Sequence, residues 1–271
     1  MGSEMCIRYR FLPSSESTLH SLNSIITGIP YSGVRHNIYE KNYCSSMLHQ
    51  IKKLGYSTNF FYGGLLSWGN IKTSMSNYGI DKQFSAADAG GKSESGVWGI
   101  EDEFLFRLVT EKVDSTNYSL NIILTTSYHP PYSVDVINRG FDKDYIKNIN
   151  KEGLKHYDGS MSFDEFSHIW YSDKCIGDFV NVAESKFPNS IFLFTGDHYG
   201  RRFINKNPNT LETSCVPFII YGNSISDSVS TTPGSHIDIL PTLIELIAPK
   251  GFKYFSFGET LFKQRKSGVG S

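Results

Sequence analysis

The 271-residue chain has no cysteines at redox or zinc-site spacing. Cys6, Cys44, Cys175 and Cys215 lie far apart and form no C-x-x-C, which excludes a zinc ribbon and a disulfide framework. Cys175 falls on the apolar side of a helical stretch and reads as packed. There is no excess of either charge. The 26 Lys and Arg against 27 Asp and Glu leave a net charge of -1, so no broad basic field attracts nucleic acid. No run of about 18 apolar residues occurs, so nothing reads as spanning a bilayer. The opening MGSEMCIRYRFLPSSES is too short and polar for a signal peptide. Repeats and low-complexity tracts are also missing.

What remains is an ordinary globular composition, 39% hydrophobic and 20% charged, long enough to bury a sizeable core. The 16 Tyr and 19 Phe read as core and surface filling, with a groove for sugars or lipid head groups as the alternative. Strand and helix signals alternate. TLHSLNSIITGIP (18–30) predicts a short helix stopped by Gly28 and Pro30. CSSMLHQIKKLGY puts Met47, Leu48, Ile51 and Leu54 on one helical face, and STNFFYGG follows as a strand. Residues 63–100, rich in Gly, Ser, Asn and Trp, read as one long loop. IEDEFLFRLVTEKV is a helix, and SLNIILTTSYHPPY a buried strand ended by Pro130 and Pro131. Ser162 and Glu165 form a capping-box pattern before a longer helix. SIFLFT and PFIIYG are strands, and HIDILPTLIELI is a helix. Short apolar strands between amphipathic helices predict an α/β fold with a largely parallel central sheet flanked by helices. In such folds, sites gather at the carboxyl ends of strands.

Two strand ends carry chemistry. LFTGDHYG places Asp197 and His198 side by side just past a strand, where a carboxylate and an imidazole suit a divalent cation. A plain strand-to-loop turn is the simpler reading. His129 stands on a loop stiffened by two prolines, as a phosphate-binding or acidic group or as a cap on a backbone carbonyl. Thr18 opens a predicted helix, where free N–H groups favour a phosphate or an alkoxide; it or Ser17 serves equally as the N-cap. In GSHIDILPTL, His236 is a further candidate ligand, against a reading in which Asp238 caps the next helix and His236 packs.

Taken in order, TLHSLNSIITGIP, IKKLGYSTNFFYGG, NYGIDKQF, WGIEDEFLF, TTSYHPPY, YSDKCIGDFV, LFTGDHYG and HIDILPTLIELI resemble the alkaline phosphatase and sulfatase superfamily. The likeness is to the extracellular catalytic domains of lipoteichoic acid synthase and related phosphoglycerol transferases, over most of residues 14–262. The resemblance implies a nucleophile at Thr18, ten residues before Gly28, and paired metal ligands at Asp197 and His198. It implies a phosphate-side histidine at His129, and a substrate loop near Trp68 and Asn70. The family's arginine in that loop has no counterpart here, and Lys72 is read as a substitute charge. The implied cofactor is a divalent metal ion, manganese, zinc or magnesium. The implied partners are a phospholipid-derived donor and a glycan or polymer acceptor.

The family also draws a metal ligand from an acid at the end of a first strand. Only seventeen residues precede Thr18, no hydrophobic strand is evident there, and Glu4 and Glu16 do not fit that place. The expectation is therefore a single sulfatase-like domain over 1–271, N-terminally truncated, lacking that strand, that ligand and the family's membrane anchor. Its setting would be the extracytoplasmic face of a membrane or the cell envelope. Thr at position 18 cannot be oxidised to the aldehyde that sulfatases use, and the C-x-P-x-R pattern is missing. A phosphoryl-group transferase moving a phosphoglycerol or phosphoethanolamine group follows. A metal-dependent phosphoric or sulfuric ester hydrolase and an inactive binding module are the alternatives.

Overall fold

Apolar strand segments build two sheets in the structure, a computed structural model that describes residues 4–30, 43–90, 98–144, 160–200, 206–223 and 225–263. The smaller sheet is fully parallel, in the order β3-β2-β4, with β2 (Ser57–Tyr62) between β3 (Lys82–Phe84) and β4 (Ser119–Leu124). The larger runs β5-β6-β1-β7: β5 (Phe192–Thr195), β6 (Val216–Gly222), β1 (Glu4–Leu12) and β7 (Ser228–Ser230). The short β8 (Gly234–Ser235) also pairs with β1. β6 is antiparallel to both β1 and β5, while β7 and β8 run parallel to β1.

Helices cover both faces. On one face, α4 (Asp102–Lys112) and α5 (Phe163–Lys186) bury Leu105, Phe106, Tyr171 and Phe179 against Phe61 of β2, with Ile123 of β4 and Phe192 of β5 at the edge of the cluster. On the other, α2 (Met47–Lys53) and α6 (Ile239–Ile247) bring Met47, Ile51, Leu240 and Leu243 onto Leu120 of β4 and Leu193 of β5. There α1 (Thr18–Thr27) and α3 (Ile71–Tyr78) add Leu22, Ile26, Ile71 and Met75 around Phe60. Phe60 and Phe61 are fully buried, and each contributes about 2–3 kcal/mol of apolar transfer. The expected α/β architecture is present.

Local chemistry sets the helix ends. α1 stops at Gly28, whose φ of 70° is left-handed and whose N–H donates to the Ser24 carbonyl. A Cβ there would lie 2.6 Å from the Ser45 carbonyl oxygen, so the entry to α2 also requires glycine. At α5 the capping box is formed: the Glu165 N–H donates to Ser162 Oγ, and the Ser162 N–H donates to Glu165 Oε2.

Three expectations are corrected. Residues 63–100 are not one loop, because they hold α3, β3 and single 3-10 turns at Trp68–Asn70 and Ala86–Ala89. The buried set Ile71, Ser74, Met75 and Tyr78 follows helical spacing, but its small and polar members hide it from a hydrophobicity count. A strand does precede Thr18: β1 buries Cys6 and Phe11, and the arginines between them mask the pattern. β4 is a strand as expected, but it is half-buried along its whole length, not buried.

Candidate active site

Asp197 and His198 follow β5 directly and are both partly exposed. The His198 N–H donates to Asp197 Oδ1 at 2.9 Å, which turns the carboxylate back over its neighbour. His198 Nδ1 lies 2.8 Å from the Tyr199 carbonyl, an acceptor only, so Nδ1 carries the proton. In the neutral ring Nε2 then presents a lone pair, 3.5 Å from Asp197 Oδ2. A protonated ring would make this contact an ion pair. A cation between the two atoms would satisfy both as well. Two ligands about 2.1 Å from a tetrahedral metal stand ~3.4 Å apart, so the observed spacing fits a shared divalent ion. Among the described residues, no cluster of three or more His, Cys, Asp or Glu residues joins them.

Thr18 is the first residue of α1 and is half-buried. Ser17 is the N-cap but makes no side-chain cap bond. The loop ahead of Thr18 is tied to the Asp197 loop by one side chain. His236 is 1% exposed, and its Nδ1 accepts the Ser14 N–H at 3.1 Å. Its Nε2 donates to the Gly196 carbonyl at 3.0 Å. Burial pushes this imidazole down to about 4, so it is neutral in the fold, against the weaker opposing pulls of the Gly196 bond and Asp197. Both ring nitrogens are used, so His236 has no lone pair left for a cation and is not a metal ligand. It joins residue 14, just before the candidate nucleophile, to residue 196, just before the candidate ligands. Asp238 bonds the Ser235 and Glu259 N–H groups and is equally committed.

Trp68 and Asn70 reach the same region from another side. Gly69 between them has φ of 55°, and a Cβ on it would lie 2.5 Å from Leu19 Cδ1, next to Thr18. The exposed Trp68–Asn70 turn is thus seated on the start of α1. Lys72 lies one turn on, exposed in the first turn of α3. On α5 Asp173 is exposed, and the neighbouring Ser172 Oγ donates to Asp102 Oδ2 at 3.4 Å.

His129 sits on the exit of β4 and is exposed. Its Nδ1 and the Trp98 indole N–H both donate to the Pro130 carbonyl, at 2.8 and 2.7 Å. The two rings are 4.5 Å apart and tilted. Nε2 is left as the outward nitrogen of His129. Trp98, His129, Thr126 and Ser127 line a small cavity of about 20 Å³, room for one water molecule. Behind it stands a residue that sequence patterns did not reveal. Asp102, 1% exposed, accepts the Thr126 and Ser127 N–H groups at 3.1 Å each. Its own N–H donates to Ser127 Oγ at 2.9 Å. Burial raises its carboxyl, and these donors oppose the rise. Asp102 therefore fixes the start of the loop that carries His129. The available signal was an acid opening α4, which reads as an ordinary first-turn charge.

Comparison with known proteins agrees with this architecture. The family model described as Sulfatase matches residues 9–248. The lipoteichoic acid synthase-like protein YvgJ of Bacillus subtilis is 26% identical over 240 residues, covering 80% of this chain and 36% of that protein. The lipoteichoic acid synthase of Staphylococcus aureus is 24% identical over 277 residues, covering 92% and 39%. The chain thus spans less than two fifths of these relatives' length. Among solved structures, the lipoteichoic acid synthase LtaP of Listeria monocytogenes superposes with a TM-score of 0.75 at 20% identity, covering 94% of this chain and 66% of that one. The phosphoglycerol transferase GacH of Streptococcus pyogenes gives 0.60 at 16% identity, covering 90% and 64%. The extent of the family match leads to one conclusion: this chain belongs to the sulfatase family, and is similar there to the lipoteichoic acid synthases.

Proposed function

We propose that this chain is the catalytic part of a metal-dependent phosphoryl-group transferase with Thr18 as nucleophile. The observation that carries the reading is the Asp197 Oδ2 and His198 Nε2 pair, 3.5 Å apart and with its tautomer set by Tyr199. The His236 tie supports it, because it holds the Thr18 and Asp197 loops to one ring. Asp197, His198 and the Thr18 hydroxyl would hold the cation, manganese, zinc or magnesium. When bound, that ion supplies a lowered hydroxyl pKa and positive charge for a phosphate oxygen.

Thr18 Oγ attacks phosphorus of a phosphodiester, and the bond to the leaving alcohol breaks. The hydroxyl proton is lost to solvent, and His129 protonates the leaving oxygen through Nε2. The phospho-threonine ester is then attacked by a second alcohol, whose proton passes to His129, and the Thr18 oxygen takes up a proton as it departs. Trp68 and Asn70 would contact the bound group from their turn on α1, with Lys72 as a nearby positive charge. The names of the relatives favour a phosphoglycerol-type group taken from a membrane lipid and given to a cell-envelope glycan or polymer. Such a reaction belongs on the extracytoplasmic side of a membrane; among the described residues no helix is long and apolar enough to cross one. The ester hydrolase is the second reading, favoured by the partly exposed Asp197 and His198, which water can reach.

The test is to incubate the chain with manganese, a fluorescent phosphatidylglycerol and a glycan acceptor. Lipid alcohol release with a labelled acceptor, lost in Thr18→Ala, is the expected result. Full activity in Thr18→Ala would refute the scheme. Release to water alone would select the hydrolase.

A further inference from the structure

The loop that carries His129 is held at its far end by a second buried histidine. His168 on α5 is 1% exposed. Its Nδ1 lies 2.7 Å from the Asp164 carbonyl, an acceptor only, so Nδ1 carries the proton. Nε2 keeps a lone pair and accepts the Val134 N–H at 3.0 Å. Burial holds this imidazole below its ordinary value against the weaker pull of the Asp164 bond, which keeps the ring neutral and Nε2 an acceptor.

α5 thus grips both ends of one loop. Four residues after His168, and on the same side of the helix, Ser172 Oγ donates to Asp102 Oδ2. Asp102 takes the Thr126 and Ser127 N–H groups at the start of the loop. His168 takes Val134 at its end, and His129 stands between the two anchors.

The stretch between them is strained. Tyr132 has φ of 57°, a left-handed conformation that a residue with a Cβ adopts at a cost. Such strain persists only where the surroundings over-determine it. Here the Tyr132 N–H donates to the His129 carbonyl at 3.1 Å, and its ring meets the His168 ring edge-on at 5.4 Å. His168 therefore touches both the strained residue and the backbone two residues later. The same turn contains Pro130, whose carbonyl fixes the His129 ring through Nδ1.

We infer that His168 is a positioning residue for His129. By holding Tyr132 and Val134 it keeps the turn closed and the Pro130 carbonyl on His129 Nδ1, which leaves Nε2 as the outward nitrogen. Without the acceptor on His168, the Val134 N–H is buried and unpaired, and Tyr132 can leave the left-handed region. The turn then opens and the His129 ring turns with it. The inference rests on the reading of His129 as the group that protonates the leaving oxygen, because only then does its direction bear on turnover.

The test compares His168→Phe, which keeps a ring and removes the acceptor, with His168→Gln, whose amide oxygen can stand in for Nε2. Nitrogen NMR on the metal-free chain reads the His129 ring. The parent should show the Nδ1–H form. His168→Phe should shift it towards the Nε2–H form that free imidazoles prefer. It should also speed Val134 amide exchange by about tenfold or more, with β2 unchanged. His168→Gln should follow the parent in both. With manganese, fluorescent phosphatidylglycerol and the glycan acceptor, kcat should fall about 10- to 100-fold in His168→Phe at a KM within about twofold, and return to within about threefold of the parent in His168→Gln. An unchanged His129 tautomer in His168→Phe would show that the buried Val134 side chain holds the loop alone, and would overturn the inference. Failure of glutamine to restore the parent's signal would overturn it as well. If faster β2 exchange shows that His168→Phe unfolds the chain, His168→Leu takes its place; unfolding of both would make His168 core packing alone and end the inference. A parent that transfers nothing would strike down the phosphotransfer reading, and the ring signal would then decide by itself whether His168 positions His129.

Discussion

Replacing His236 with glutamine should flatten the acid dependence of stability. In the fold this imidazole is buried, neutral and held down to about 4, whereas in the unfolded chain it titrates near 6.5. The unfolded state therefore binds the extra proton first. Stability from this group is complete above the unfolded value and is lost as pH falls from about 6.5 towards 4. Linkage between these two values gives a loss of about 0.8 kcal/mol at pH 6, about 2 at pH 5 and about 3 at pH 4. The structural reason is specific: a proton on Nδ1 removes the acceptor for the Ser14 N–H and puts a charge where 1% of the residue meets water. The assay is urea unfolding followed by tryptophan fluorescence at pH 7.5, 6, 5 and 4, in chelator, for the parent and His236→Gln. Other titrating groups contribute equally to both proteins, so the difference isolates this ring. The variant should start less stable at pH 7.5, and the gap should close by about 3 kcal/mol by pH 4. A gap that stays constant within about 0.5 kcal/mol across that range would refute the reasoning.

Asp102→Ala strips the Thr126 and Ser127 N–H groups of their buried acceptor. It should cost about 2–4 kcal/mol in a denaturant titration, and a loss under 1 kcal/mol would show that water replaces the carboxylate. Gly69→Ala should lower stability by about 1 kcal/mol or more, since φ is 55° and the new methyl meets Leu19 Cδ1. An unchanged melting temperature in scanning calorimetry would show that the Trp68–Asn70 turn is not seated on α1.

Much of the fold is written locally. β2, β5 and β6 are short apolar runs between turn residues, and the α5 start is announced by Ser162 and Glu165 three apart. α1 ends where Gly28 permits a left-handed turn. What stays hidden depends on partners. β3 is three residues that exist as a strand only because β2 lies beside them. β1 mixes arginines with apolar residues, and its pairing partner β6 is more than two hundred residues away. The site divides the same way. Asp197 and His198 stand out because adjacent ligand types follow a strand. The work of His236 cannot be read from GSHIDILPTL, since its two partners lie 222 and 40 residues away in sequence. The same distance hides Asp102, whose partners come 24 and 25 residues later.

The carbonyl of Pro130 takes hydrogens from both Trp98 and His129. The indole and the imidazole are therefore coupled, like two hands on one rail. Any molecule that turns the histidine must disturb the tryptophan's surroundings. The protein carries its own lamp beside that loop, and its brightness will follow what the loop is holding.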